Sequence, residues 1–124
     1  MLNCIAVGFG GFLGAICRYL CNLIPQGSVS FPVTTMIINF TGALLIGVFS
    51  ALPAALGLPV DPRLNLFLTT GLCGGFTTFS TFSLETVKLF DNGKFIMGIG
   101  YALLSVTCCL VAIYCGRLIM KLFT

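Results

Sequence analysis

Hydrophobic residues run almost unbroken along this chain, and the polar positions that punctuate them divide it into four apolar stretches. Each approaches the ~20 residues that a helix needs to cross ~30 Å of hydrocarbon. The pattern therefore predicts an all-α integral membrane protein with four transmembrane helices, over about 2–24, 32–56, 64–87 and 95–119. The first stretch is interrupted only by Arg18 and ends at Pro25, Gln26 and Gly27. The second starts near Pro32, a residue suited to a first helical turn, and is broken after Leu56 by Gly57, Pro59, Asp61 and Pro62. Short linkers predict that sequential helices lie antiparallel as neighbours, in one membrane domain over 1–124.

Composition removes most other classes. The 124 residues are 58% hydrophobic and 7% charged, with a mean hydropathy of +1.13, whereas globular chains are roughly 25% charged. With no His, no Trp and three acids, most routes to acid–base catalysis and to imidazole or carboxylate metal sites are closed, so an enzyme is not expected. A net charge of +3 without clustered Lys and Arg provides no footprint for nucleic acid. The N-terminus lacks a basic region before its apolar run and a small-residue cleavage site, so it does not read as a removable signal. A multi-pass protein of the cell membrane is expected. The cysteines Cys4, Cys17, Cys21, Cys73, Cys108, Cys109 and Cys115 sit almost all in apolar runs and read as buried small hydrophobes. The pairs Cys17/Cys21 and Cys108/Cys109 lack the spacing and the His of a soft-metal site.

Orientation is normally set by Lys and Arg in short flanking loops. Here Arg63, Arg117 and Lys121 collect on one side and Arg18, Lys88 and Lys94 on the other, three against three. Such balance arises by chance from small counts, or it marks a chain that inserts both ways and pairs as an antiparallel homodimer about an axis in the membrane plane. Gly10-x-x-x-Gly14 in the first helix allows close approach of another helix backbone. The same glycines lack the spacing, strand and acid of a nucleotide-binding loop.

Few residues inside the spans carry polar chemistry. Arg18 must snorkel or face a wet vestibule. Asn39, with Thr35 a turn before and Gly42 after, either ties helices together or faces a polar path. Tyr101, Ser105 and Cys109 fall at i, i+4 and i+8 on one face of the fourth helix, a stripe that lines a path or bonds to its own backbone. The segment Gly71–Ser83 is the richest. Paired glycines followed by β-branched threonines predict a break at Gly74 to Thr78 near mid-membrane, where freed carbonyls can ligate a hard cation such as Na⁺. Phe79 and Phe82 share one face if the helix resumes. They either pack on a neighbour or direct their positive ring edges into a pore, beside hydroxyls of Ser80, Thr81 and Ser83.

Gly74-Gly75-x-Thr77-Thr78-Phe79-Ser80-Thr81-Phe82 resembles the signature of the Fluc (CrcB) fluoride channel family. Gly11-x-x-Gly14-Ala15-x-x-Arg18-Tyr19 and Asn39-x-x-Gly42 with Gly47 resemble two further family segments, in family order over essentially the whole chain. The resemblance implies a dual-topology dimer with two anion pathways and a structural, untransported Na⁺ on its twofold axis. It implies that backbone carbonyls of Gly74 and Thr77 from both subunits hold that ion. It also implies that Phe79 and Phe82 flank the fluoride route, that Asn39 offers amide N–H donors, and that Ser80, Thr81, Tyr101 and Ser105 supply hydroxyls. Arg18 becomes a vestibule residue that concentrates anions. Glu85, three past Phe82, stands near a pore mouth or is a solvated helix-end charge. Three positions depart from the family pattern: Thr34 before Thr35 where Gly is usual, Leu44 where Phe is usual, and Cys109 where the hydroxyl stripe would continue. Some family members act as pairs of homologues, so a second homologous subunit is a possible partner.

The implied function is passive, selective exit of fluoride down its electrochemical gradient, relieving fluoride toxicity. The alternative is a small proton-coupled four-helix exporter of cationic compounds, which needs an intramembrane acid. All three acids, Asp61, Glu85 and Asp91, are placed by the hydropathy pattern in loops or at a helix end, which argues against it. An assembly subunit held by glycine contacts is a third reading, and it leaves the Thr/Ser/Phe break unexplained.

Overall fold

A computed structural model describes residues 1–24, 31–57 and 59–123 and contains helices and short connections, with no strand among the described residues. The expected ending of the first span at Pro25, Gln26 and Gly27 lies outside them. Among the described residues three helices are long and apolar enough to cross a membrane: α1 (Leu2–Asn22), α2 (Val33–Leu56) and α6 (Phe95–Leu122). The other apolar stretch is built in pieces. It comprises α3 (Pro62–Leu66), a wider π-helical stretch at Phe67–Cys73, the single turn α4 (Gly74–Phe76) and α5 (Phe79–Asp91). Asp61 starts it by accepting the Arg63 N–H on Oδ1 at 2.8 Å, while Pro62 occupies the first turn, where its missing donor costs nothing. Gly57 ends α2 at φ +60°, a left-handed conformation open to a residue without Cβ.

Glycine pairs set the backbone approaches. A Cβ on Gly10 would lie 2.9 Å from the Leu72 nitrogen and run into the Phe67 carbonyl oxygen. One on Gly14 would lie 2.7 Å from the Phe76 nitrogen and run into the Leu72 carbonyl, and one on Gly75 would come within 2.5 Å of the Gly11 carbonyl oxygen. Gly10-x-x-x-Gly14 thus meets Gly71-x-x-x-Gly75, with residue numbers rising together, so α1 and the segmented span run parallel. α2 and α6 also meet at glycines: Gly47 lies against Ile113, and Gly116 against Leu44 to Val48. Sequential spans also touch, as α5 does α6. The tightest backbone approaches join alternate spans, because those are the faces where glycines leave no side chain between them.

The cysteines need correction. Cys73 is buried, Cys21, Cys108 and Cys109 are half-buried, and Cys4, Cys17 and Cys115 are exposed. A bundle this small has little interior, and on an outward face a thiol is tolerated as an apolar group beside lipid.

Gly14→Ala is expected to lower the stability of the purified protein by about 1–3 kcal/mol, the range for overpacking, because its methyl displaces backbone rather than a movable side chain. Thermal melting in detergent, followed by the monodisperse fraction, measures it. Gly8→Ala is the control, since a Cβ there meets nothing within 4 Å.

Candidate functional site

The site begins where the segmented span stops being a helix. Thr77 (φ −75°, ψ 159°) and Thr78 (φ −149°, ψ 113°) are extended, and helix resumes at Phe79. The break is thus confined to two β-branched residues, whose stiff χ1 favours extended backbone. Gly74–Phe76, expected within the break, remain helical. A gap in a membrane span strands backbone groups, and Asn39 on α2 takes up two of them. Its Oδ1 accepts the Thr78 N–H at 2.7 Å and its Nδ2 donates to the Thr78 carbonyl at 3.1 Å. Gly42, one turn on, admits the break, since a Cβ there would run into the Thr77 methyl group.

Thr78 organises the other side. Its hydroxyl accepts the Thr81 N–H at 3.2 Å, donates to Thr81 Oγ1 at 2.9 Å and lies 3.3 Å from Ser80 Oγ. This is an N-cap, supplying an acceptor to a helix start that lacks a preceding turn. The two side-chain acceptors have a joint consequence. In a continuous helix the Thr78 N–H would go to the Gly74 carbonyl, and the Thr81 N–H to that of Thr77. Both donors are diverted, one to Asn39 and the other to the Thr78 hydroxyl, so the carbonyls of Gly74 and Thr77 lose their helical partners. Gly74 is exposed and Thr77 half-buried.

Alongside the break, α2, α5 and α6 wall a groove of ≈ 330 Å³. Its polar lining is Asn39, Thr77, Thr78, Ser105 and Cys109; Phe79 and Phe82 are its rings, and the remaining wall is aliphatic. The ring centroids are 5.4 Å apart at an interplanar angle of 45°. Phe82 is half-buried, whereas Phe79 is 77% exposed. Ser105 is only 3% exposed, yet its Oγ has no hydrogen-bond partner among the described residues. A stranded buried hydroxyl costs about 1–3 kcal/mol, and such groups call for a missing ligand or water.

A second polar knot lies beyond Phe82. Tyr101 is fully buried, with its ring 5.3 Å from that of Phe82 and 5.4 Å from that of Phe31. Its hydroxyl donates to Glu85 Oε2 at 2.8 Å, and the buried Thr35 hydroxyl donates to Glu85 Oε1 at 2.8 Å. Glu85 sits mid-way along α5 and half-buried. The helix-end placement from hydropathy is corrected, because α5 continues to Asp91 and turns the carboxylate inward against α2 and α6.

Residues 5–117 match the family described as CrcB-like protein, Camphor Resistance (CrcB). The chain belongs to the CrcB family. It is 47% identical over 123 residues to the "Fluoride-specific ion channel FluC" of Ruminiclostridium cellulolyticum, covering 98% of this chain and 94% of that protein. The protein of the same name from Clostridium perfringens strain 13 is 40% identical over 124 residues, covering 98% and 96%. That from Granulibacter bethesdensis is 46% identical over 110 residues, covering 86% and 85%. Membership of the CrcB family, with three helices of spanning length, makes this a multi-pass protein of the cell membrane.

In this CrcB chain the groove brings together Asn39, Thr77, Phe79, Phe82 and Ser105. Ser80 and Thr81 serve the cap of α5, while Tyr101 and Glu85 form the adjoining knot, so these four are not part of the groove wall. Arg18 is half-buried on α1, outside that wall. Among the described residues no cluster of three or more Cys, Asp or Glu side chains suits a metal. Two participants are not among the sequence-derived candidates, Thr78 and Thr35. The first was signalled by a threonine three residues ahead of Thr81 where helix restarts, the second by its one-turn spacing from Asn39.

Proposed function

We propose that this protein is a passive, fluoride-selective channel that lets F⁻ leave the cell down its electrochemical gradient and so relieves fluoride toxicity. It is not an enzyme. The observation that carries the reading is the groove, lined by the rings of Phe79 and Phe82 and by Ser105, whose buried hydroxyl has no partner among the described residues, in a chain whose relatives bear the name of a fluoride-specific ion channel. A small hard anion needs donors in place of its hydration shell. Ser105 offers an O–H, the Asn39 amide has a second N–H beyond the one given to Thr78, and phenyl edges carry partial positive charge. Larger halides gain less from so few, closely placed donors. Where the exterior is acidic, HF enters by diffusion, ionises inside and departs as F⁻ through this path.

The working unit in this reading is an antiparallel dual-topology homodimer of four-span subunits. Two observations support it: the balanced Lys and Arg count, and the exposure of Phe79 (77%) and of Gly74 on the isolated chain. A partner copy closes the groove into a pore and gives two pathways. The carbonyls of Gly74 and Thr77, freed of their helical donors, fit a hard cation; with their counterparts in the second copy they would offer four oxygens to a structural Na⁺, which supplies charge compensation at the dimer centre. Exchanging Na⁺ for N-methylglucamine is expected to lower the dimer fraction in detergent and the fluoride efflux together, and restoring Na⁺ should recover both. Unchanged dimer and efflux would remove the cation from the account.

The interior position of Glu85 gives the cation-exporter reading its one structural support. Both carboxylate oxygens are already engaged by Thr35 and Tyr101, and Glu85 does not line the groove, so no acid is offered to a cationic substrate there. Growth decides the function. Cells lacking their own fluoride exit route should grow in millimolar fluoride when they express this chain, and fail with the empty vector. Expression without rescue would refute the proposed role.

A further inference from the structure

The fluoride reading makes no use of the sulfur in the groove wall. Of the seven cysteines, Cys109 alone lines the groove; Cys73 is buried elsewhere, and the other five lie outside the wall. Cys109 is half-buried and carries a free thiol, one helical turn after Ser105 on α6. The Ser105 hydroxyl, one turn before it on the same wall, is buried and has no hydrogen-bond partner among the described residues. Around the sulfur the wall is aliphatic, with Ala43, Ile46, Leu110 and Ile113. Oxygen donors suit a small hard anion; a sulfur set among hydrocarbon groups suits the opposite, a soft and uncharged electrophile.

We propose that Cys109 is a covalent capture site for small neutral thiophilic compounds, of which organomercurials are the type, and that capture there shuts the ion route. The proposal rests on the groove being that route. The step needs no oxidant: the Cys109 S–H and CH₃HgCl exchange partners, an S–Hg bond forming as the Hg–Cl bond breaks, with release of H⁺ and Cl⁻. One thiol suffices, so the absence of a second ligand cysteine is no obstacle. A methylmercury group next to Ser105 then occupies space that the ion requires and covers its hydroxyl donor. A hydroxyl at position 109 would not hold mercury, so the susceptibility belongs to the thiol at this position.

The test uses the full-length protein in liposomes, with methylmercury chloride as the probe, a fluoride electrode for efflux and peptide mass spectrometry for adducts. Wild type is expected to fall to the leak rate of protein-free vesicles and to recover with excess dithiothreitol. Cys108→Ser should stay sensitive, while Cys109→Ser, measured against its own untreated rate, should become insensitive. A folded Cys109→Ser that is blocked as wild type is, an adduct at Cys109 with undiminished efflux, or no adduct at Cys109 each overturns the proposal. If untreated wild type passes no fluoride, the channel reading has failed; an adduct found at Cys109 would then leave capture standing and refute only the shut-off.

Discussion

Phe79→Ile and Phe82→Ile are each expected to reduce fluoride efflux from liposomes to the leak of protein-free vesicles, with the protein still folded and dimeric. The ring centroids lie 5.4 Å apart and both rings line the groove; in the proposed fluoride path each supplies an edge with partial positive charge. Isoleucine preserves apolar bulk but has no such edge. Loss of packing should be small at Phe79, which is 77% exposed on the chain, and larger at Phe82, whose ring also rests 5.3 Å from that of Tyr101. Electrode-monitored efflux alongside size-exclusion chromatography separates the effects. A Phe79→Ile channel that conducts like wild type would show that its ring only packs.

Asn39→Leu is expected to damage stability and conduction together. The amide satisfies both the N–H and the carbonyl of Thr78, and leucine satisfies neither. Each stranded backbone group costs about 1–3 kcal/mol, and little water reaches mid-membrane to take the amide's place. The Thr78 N–H would then be free to return to the Gly74 carbonyl and draw the break towards continuous helix. A lower melting temperature in detergent and efflux at background are predicted. A variant with wild-type stability would mean that the Asn39 clamp is dispensable.

The helical membrane character of this chain is legible in its hydropathy, because long apolar runs have few other solutions in a bilayer. The place of the break is legible only in outline. Gly-Gly and Thr-Thr both disfavour helix, yet the glycines stay helical, and α1 packs on that turn at Gly75 and Phe76 through Gly11 and Gly14. The π-helical stretch at Phe67–Cys73, which packs on α1 at Gly71, has no local signal in the sequence. Asn39 presents two readings as a sequence position; in the structure its amide holds the break through Thr78 and it is also a groove-lining residue. Glu85 was hidden by its charge. Hydropathy places an acid at the end of a span, whereas Thr35 and Tyr101 provide the donors that let it lie inside. Cysteine burial fails as an expectation for a related reason, because apolar composition does not distinguish a protein interior from a face toward lipid.

The central claim is that the groove walled by α2, α5 and α6 becomes a fluoride path. Its most direct measurement is efflux from liposomes holding equal fluoride and chloride, read on two ion-selective electrodes after one purified protein has been reconstituted alone. The account predicts rapid release of fluoride with chloride retained at the rate of protein-free vesicles. Release of both ions at similar rates, or of neither from a folded dimer, would contradict it.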